Sequence, residues 1–193
     1  MTEAELGAYA AKLLAAIPGA GQNLRATVAL LRACKARVLA DGEVLCREGQ
    51  NGDSVYFLVR GKLRVESTVR DGARNLFLQE APAMLGQLSL VDGSPRSATL
   101  AAAGEAELLV LPQTAWTMLY GAPTVAGGAL RRLVLASLTG QLARASYLLN
   151  DMLPANKDDS EVDMRALGRL AGVVQGWEMS DAGLDRVEVV RGR

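Results

Sequence analysis

Between Val38 and Leu111 the chain is cut into short β-branched and aromatic runs by glycine-bearing turn signals, and this punctuation constrains its fold more than any other feature. Asp41-Gly42, Asn51-Gly52-Asp53, Arg60-Gly61, Asp71-Gly72 and Asp92-Gly93 separate the runs. Short runs bounded in this way read as strands joined by turns, and strands joined by tight turns run antiparallel. Tyr56-Phe57-Leu58-Val59 and Leu63-Arg64-Val65 form strands about the Gly61 turn, and Leu108-Leu109-Val110-Leu111 is the closing strand before a helix containing Trp116, Met118 and Leu119. The expected fold is α+β, mainly β: an antiparallel β-roll of jelly-roll type with N-terminal helices, a long helix after the roll and a short C-terminal tail.

Four parts follow. Residues 1–38 carry helical spacing in Leu6, Ala10, Leu13, Leu14 and Ile17, broken by Pro18, Gly19 and Gly21 and resumed from Leu24 to Cys34. Residues 39–121 are the roll, 122–153 a long helix opened by Pro123, and 154–193 a linker and tail.

Within the roll, GQLSLVDGSPRSATL from Gly86 to Leu100 joins a glycine, a short apolar helical turn and an isolated arginine in a space of phosphate size. Gly86 lets the backbone turn sharply, and Leu88, Ser89 and Leu90 start a helix whose first N–H groups face an anion. Arg96 supplies the countercharge, since a guanidinium grips two oxygens of one phosphate in a fork that lysine cannot make. Pro95 stiffens the approach and Ser97 offers a hydroxyl.

This segment resembles the phosphate-binding cassette of cyclic-nucleotide-binding domains, as found in protein kinase A regulatory subunits and Crp/Fnr-type sensors. ADGEVLCREGQNGDSVYFLVRGKLRV from Ala40 to Val65 resembles the first strands of the same roll, with Gly42, Glu43, Gly49, Gly52, Asp53, Tyr56 and Gly61 in place, and the likeness covers about Leu31 to Tyr120. It implies a small-molecule nucleotide ligand, cyclic AMP, cyclic GMP or another phosphate-bearing nucleotide, held by Gly86, Gln87, Leu88, Ser89, Arg96 and Ser97, with Ser146 near the position from which the long helix offers a hydroxyl to the base. The family usually carries glutamate where Gln87 stands, accepting a hydrogen bond from the ribose 2′-hydroxyl. Glutamine accepts without a negative charge, which weakens that bond by about 1–3 kcal/mol, roughly ten- to a hundredfold in affinity. Pro82 and Ala83 also depart from the usual glycine and acidic residue.

Composition narrows the chemistry. The chain has 193 residues, half of them apolar, with 21 basic residues against 21 acidic ones. It has no histidine, which excludes Ser-His-Asp catalysis, histidine metal sites and a histidine-ligated haem. Its two cysteines, Cys34 and Cys46, are too few for a Cys₄ zinc site or an all-cysteine iron–sulfur cluster and are expected as reduced thiols. The paired carboxylates Asp158/Asp159 and Glu105/Glu107 lie in polar segments with no nucleophile motif beside them, so the expectation is a protein that is not an enzyme and has no cofactor or metal. Glu3 and Glu5 occupy the place of a signal peptide's basic and apolar regions and no apolar run is long enough to span a bilayer, which points to a cytoplasmic, membrane-free protein, and the resemblance to Crp/Fnr-type sensors implies a bacterial one.

On the long helix, Leu135, Leu138, Leu142, Ala145, Leu149 and Met152 alternate in threes and fours, the seam of a parallel coiled coil, while Leu130, Leu133 and Val134 cover the chain's own roll. Crp-like relatives dimerise through the corresponding helix, so a homodimer is expected. The tail is too short for a winged helix-turn-helix. It carries six basic residues against eight acidic ones, has one helix at about 160–175 with Gly168, Gly172 and Gly176 on one face, and ends in strand-like Leu184 to Val190. DNA binding uses a concentrated basic face, which the tail lacks, and its apolar helix suits a protein partner or its own roll. The functional expectation is a stand-alone ligand sensor or adaptor signalling through its flanking helices. The alternatives are a degenerate roll serving as a structural module without nucleotide, and a Crp/Fnr-type regulator lacking its helix-turn-helix here.

Overall fold

The structure, a computed structural model, describes residues 1–68 and 74–152. In chain order it comprises α1 (Glu3–Ala16), α2 (Leu24–Leu31), β1 (Lys35–Leu39), β2 (Val44–Cys46), β3 (Ser54–Arg60), β4 (Lys62–Thr68), β5 (Arg74–Glu80), β6 (Ala83–Leu85), α3 (Leu88–Asp92), β7 (Thr99–Ala102), β8 (Ala106–Pro112), α4 (Gln113–Gly121) and α5 (Val125–Met152). The readings of the tail, its helix at 160–175 and its segment Leu184 to Val190, lie outside the described residues.

The strands pair antiparallel in two four-stranded sheets, β1-β8-β3-β6 and β2-β7-β4-β5, which is the expected roll. It opens at Lys35, earlier than the expected boundary. β1 is an edge strand with four of its five residues exposed, so apolar patterning could not reveal it. The same strand shortens α2, which stops at Leu31 rather than at Cys34; the N–H groups of Ala33 and Cys34 close turns onto the carbonyls of Leu30 and Leu31.

Local chemistry starts the N-terminal helices. Thr2 and Glu5 form a reciprocal capping box at α1, and the Asn23 side chain accepts from the Ala26 N–H at α2. Their apolar faces, with Leu6, Leu13 and Leu30, pack on one side of the β1-β8-β3-β6 sheet with Leu130, Leu133 and Val134 of α5. A second core fills the space between the sheets, with Leu39, Leu58, Leu63 and Leu108 fully buried. β3 serves both: Val55 and Phe57 face the helices while Tyr56 and Leu58 face the other sheet. That is why its sequence is a continuous apolar run.

Both cysteines are free thiols, and burial pushes the Cys34 thiol up to about 12, so it stays protonated at neutral pH. Among the described residues no helix is long and apolar enough to cross a membrane, and no cluster of histidine, cysteine or carboxylate side chains could hold a metal ion.

Gly61 joins β3 to β4 at φ +81°, and a Cβ there would stand 2.3 Å from the carbonyl oxygen of Glu105. Backbone cannot yield as a side-chain tip can. Gly61→Ala is therefore expected to lower the unfolding free energy by at least about 1–3 kcal/mol, read as a lower urea midpoint at unchanged slope.

Candidate functional site

Arg96 is the centre of the site. Its backbone is clamped to the β2–β3 connection, since its N–H donates to the Gln50 carbonyl at 2.8 Å and its carbonyl accepts from the Gly49 N–H at 2.8 Å. The side chain then runs inward until the residue is only 5 % exposed. Nη1 donates to the Gly86 carbonyl at 2.8 Å, and Nη2 donates to the Ser54 carbonyl at 2.7 Å and the Tyr56 hydroxyl at 3.2 Å. The guanidinium carbon also lies 5.0 Å from the centre of the Tyr56 ring, within cation–π range. Burial raises the Tyr56 pKa, with Arg96 opposing the shift, so the phenol keeps its proton.

These acceptors are neutral. The nearest carboxylate is Asp53, with Oδ1 3.5 Å from Nη2, and its side chain is 79 % exposed. Water screens that pair, so Arg96 remains a buried positive charge with little compensation. Beside it a cavity of about 380 Å³ is lined by Arg37, Cys46, Asn51, Asp53, Tyr56 and Arg96 among others, a size within the range of small-ligand sites. Arg96 is the only cassette residue lining it. Burial also raises the pKa of the Cys46 thiol there, against the opposing influence of Arg96.

Gly86 is required where it stands. It adopts φ +76°, and a Cβ would lie 2.5 Å from Nη1 of Arg96. Gln87 follows and is 1 % exposed, the most enclosed polar side chain of the cassette. Its Nε2 donates to Ser137 Oγ on α5 at 2.9 Å, while its Oε1 is buried without a hydrogen-bond partner. The Gln87 carbonyl accepts from the N–H groups of Leu90 and Val91, which starts α3.

Of the residues singled out from the sequence, Arg96 and Gly86 meet directly, while Gln87, next in the chain, turns its amide to Ser137, and Leu88 and Ser89 follow on the first turn of α3. Leu88 is exposed, Ser89 is buried and Ser97 is exposed. Ser146 lies on the exposed part of α5, and the α5 hydroxyl that reaches the cassette is Ser137, about 14 Å earlier along the helix axis. Of the seam residues, Leu135, Leu142 and Ala145 are exposed, and Leu138 packs partly against the chain's own helical core. Leu149 and Met152 lie on α5.

Sequence reasoning missed the partners of Arg96. A tyrosine inside the run Val55 to Val59 carried a signal, since a buried phenol needs a polar partner. The carbonyls of Ser54 and Gly86, and the reach of Ser137, carried none.

Residues 36–121 match the family profile of the cyclic nucleotide-binding domain. This part of the chain belongs to that family. A cyclic nucleotide-gated potassium channel of Rhizobium etli is 38 % identical over 105 residues, covering 52 % of this chain and 27 % of the channel. A CRP-like cAMP-activated global transcriptional regulator of Mycobacterium tuberculosis is 34 % identical over 59 residues, 30 % of this chain and 26 % of the regulator. The chain thus spans about a quarter of the length of these relatives. Among solved structures, a cyclic nucleotide-binding domain from Methylobacillus flagellatus superposes with a TM-score of 0.67 at 20 % identity, covering 78 % of this chain and 86 % of that one. The catabolite activator protein of Thermus thermophilus gives 0.53 at 25 % identity, over 67 % and 58 %.

In this domain Asp53 competes with any incoming anion for Arg96. Asp53→Asn is expected to tighten binding of inorganic phosphate or cyclic AMP about two- to fivefold in a calorimetric titration, the size of a screened ion pair.

Proposed function

We propose that the chain is a cyclic-nucleotide sensor whose output passes through α5. The observation that carries this reading is the hydrogen bond from Gln87 to Ser137, which joins the cassette to the helix most able to transmit a change. Arg96 supplies the positive charge for a phosphate, the N–H groups of Leu88 and Ser89 precede the first hydrogen bonds of α3, and the buried Oε1 of Gln87 is an acceptor in want of a donor. That acceptor does not line the cavity, so a nucleotide there acts on it through Arg96, whose Nη1 holds the carbonyl of the preceding residue, Gly86. A ligand that draws Arg96 toward itself loosens its bond to the Gly86 carbonyl and so alters the grip of the adjoining Gln87 on Ser137, and a ligand shifts an equilibrium only through such differential contacts.

Cyclic AMP and cyclic GMP are the ligands to test first, since the similar channel and regulator are named for cyclic nucleotides and cAMP. The reading makes the protein a cytoplasmic binding module rather than an enzyme. Exposed Leu135, Leu142 and Ala145, with Leu149 and Met152 beyond them, supply the seam for a second α5 in a parallel homodimer. Leu138 contributes less, being turned partly into its own core. One observation favours the second reading, a structural module without nucleotide: the guanidinium of Arg96 already has three acceptors within the chain.

Calorimetry separates the two. Cyclic AMP or cyclic GMP is expected to bind at micromolar or weaker affinity, Arg96→Ala to weaken binding at least about a hundredfold, and Ser137→Ala to bind while losing the ligand-induced change in Trp116 fluorescence. No binding of either nucleotide at millimolar concentration favours the structural module. Mild oxidation of Leu142→Cys tests the seam through the appearance of a disulfide-linked dimer.

A further inference from the structure

β5 closes one side of the sheet β2-β7-β4-β5, and among the described residues no strand pairs with its outer edge. The opposite sheet has an edge of the guarded kind, since β1 carries Lys35 and Arg37. β5 has none of that protection at its centre. Leu76, Phe77 and Leu78 are consecutive and 59 %, 48 % and 55 % exposed. The register sets Phe77 opposite Val65, which is buried between the sheets, so Phe77 lies on the inner face of the sheet and Leu76 and Leu78 on the outer one.

The strand reads RNLFLQE, and it is its own chemical complement when reversed. Antiparallel pairing with a second β5, centred on Phe77, sets Arg74 opposite the partner's Glu80, Asn75 opposite the partner's Gln79, Leu76 opposite the partner's Leu78, and Phe77 opposite the partner's Phe77. Every pair is then opposite charge, amide with amide, aliphatic with aliphatic or aromatic with aromatic, all combinations that stabilise adjacent strands. Other registers lose this. Centring the pair on Leu78 sets Leu76 against the partner's Glu80 and Phe77 against the partner's Gln79. Centring it on Leu76 sets Arg74 against the partner's Leu78.

We propose that β5 is a docking edge for a second copy of this chain. The two copies join about a two-fold axis at Phe77, so that two four-stranded sheets become one of eight strands. The contact is isologous, each copy giving and receiving the same strand, and therefore closes at two copies rather than growing into a fibre. Glu80 pairs with Lys62 across its own sheet through Oε1 at 2.6 Å, which leaves Oε2 for the partner's Arg74. The surface is distinct from the α5 seam.

The test is sedimentation equilibrium of the full chain in a Leu142→Glu background, which removes α5 pairing at an exposed position. The parent is expected to remain a dimer at tens of micromolar. R74E and E80R, each replacing two opposite-charge pairs with like-charge pairs, are expected to raise the dimer dissociation constant about tenfold or more, and the double variant R74E/E80R to return it to within about threefold of the parent. A monomeric parent, unaffected single variants or a double variant no better than the singles overturns the proposal. Phe77→Cys gives an independent reading in the same background: oxidation is expected to link two copies through this position, and its absence counts against the two-fold centre.

Discussion

A guanidinium buried in the space between two sheets must find acceptors or leave, and Arg96 finds them on three separate pieces of chain. Gly86 follows β6, Ser54 and Tyr56 belong to β3, and the connection before β3 holds the Arg96 backbone. The cassette, its sheet and the loop beside it are thus tied by one side chain. Because the close acceptors carry no charge, this knot leaves its positive charge largely uncompensated. The group that organises the site is also its buried positive charge.

α5 divides its work along its length. Leu130, Leu133, Val134 and Ala136 complete the core shared with α1 and α2, whereas every side chain from 141 to 147 is exposed. Ser137 lies at the junction between these two stretches. Gln87 therefore holds the helix close to where packing ceases to do so. A hydrogen bond at that point biases the direction of everything beyond it more effectively than one placed deep in the core, where side-chain packing already fixes the axis.

Much of the fold was legible because turn chemistry is local. Glycines in Asp-Gly and Arg-Gly pairs mark reversals whatever lies across the sheet, so the hairpin about Gly61 and the roll followed from the sequence. β1 did not announce itself, since an edge strand escapes the burial that imposes an apolar pattern. At the site, Gly86, Gln87 and Arg96 were legible as a group through their spacing and their likeness to a known cassette. The direction taken by their side chains was not. Gln87 read as a ligand acceptor, and the structure turns its amide to Ser137, fifty positions away in sequence, a pairing that only the closed tertiary fold creates.

The two-sided burial of β3 has a bearing on how this sequence can drift. Val55 and Phe57 press on the helical layer while Tyr56, between them, supports Arg96 on the other side. The strand is a party wall between two rooms. Neither can be refurnished alone, because a change of bulk on one side tilts the same peptide planes that aim the phenol on the other. Lineages that retune ligand preference through the inner room are bound to carry matching changes in the helices outside it.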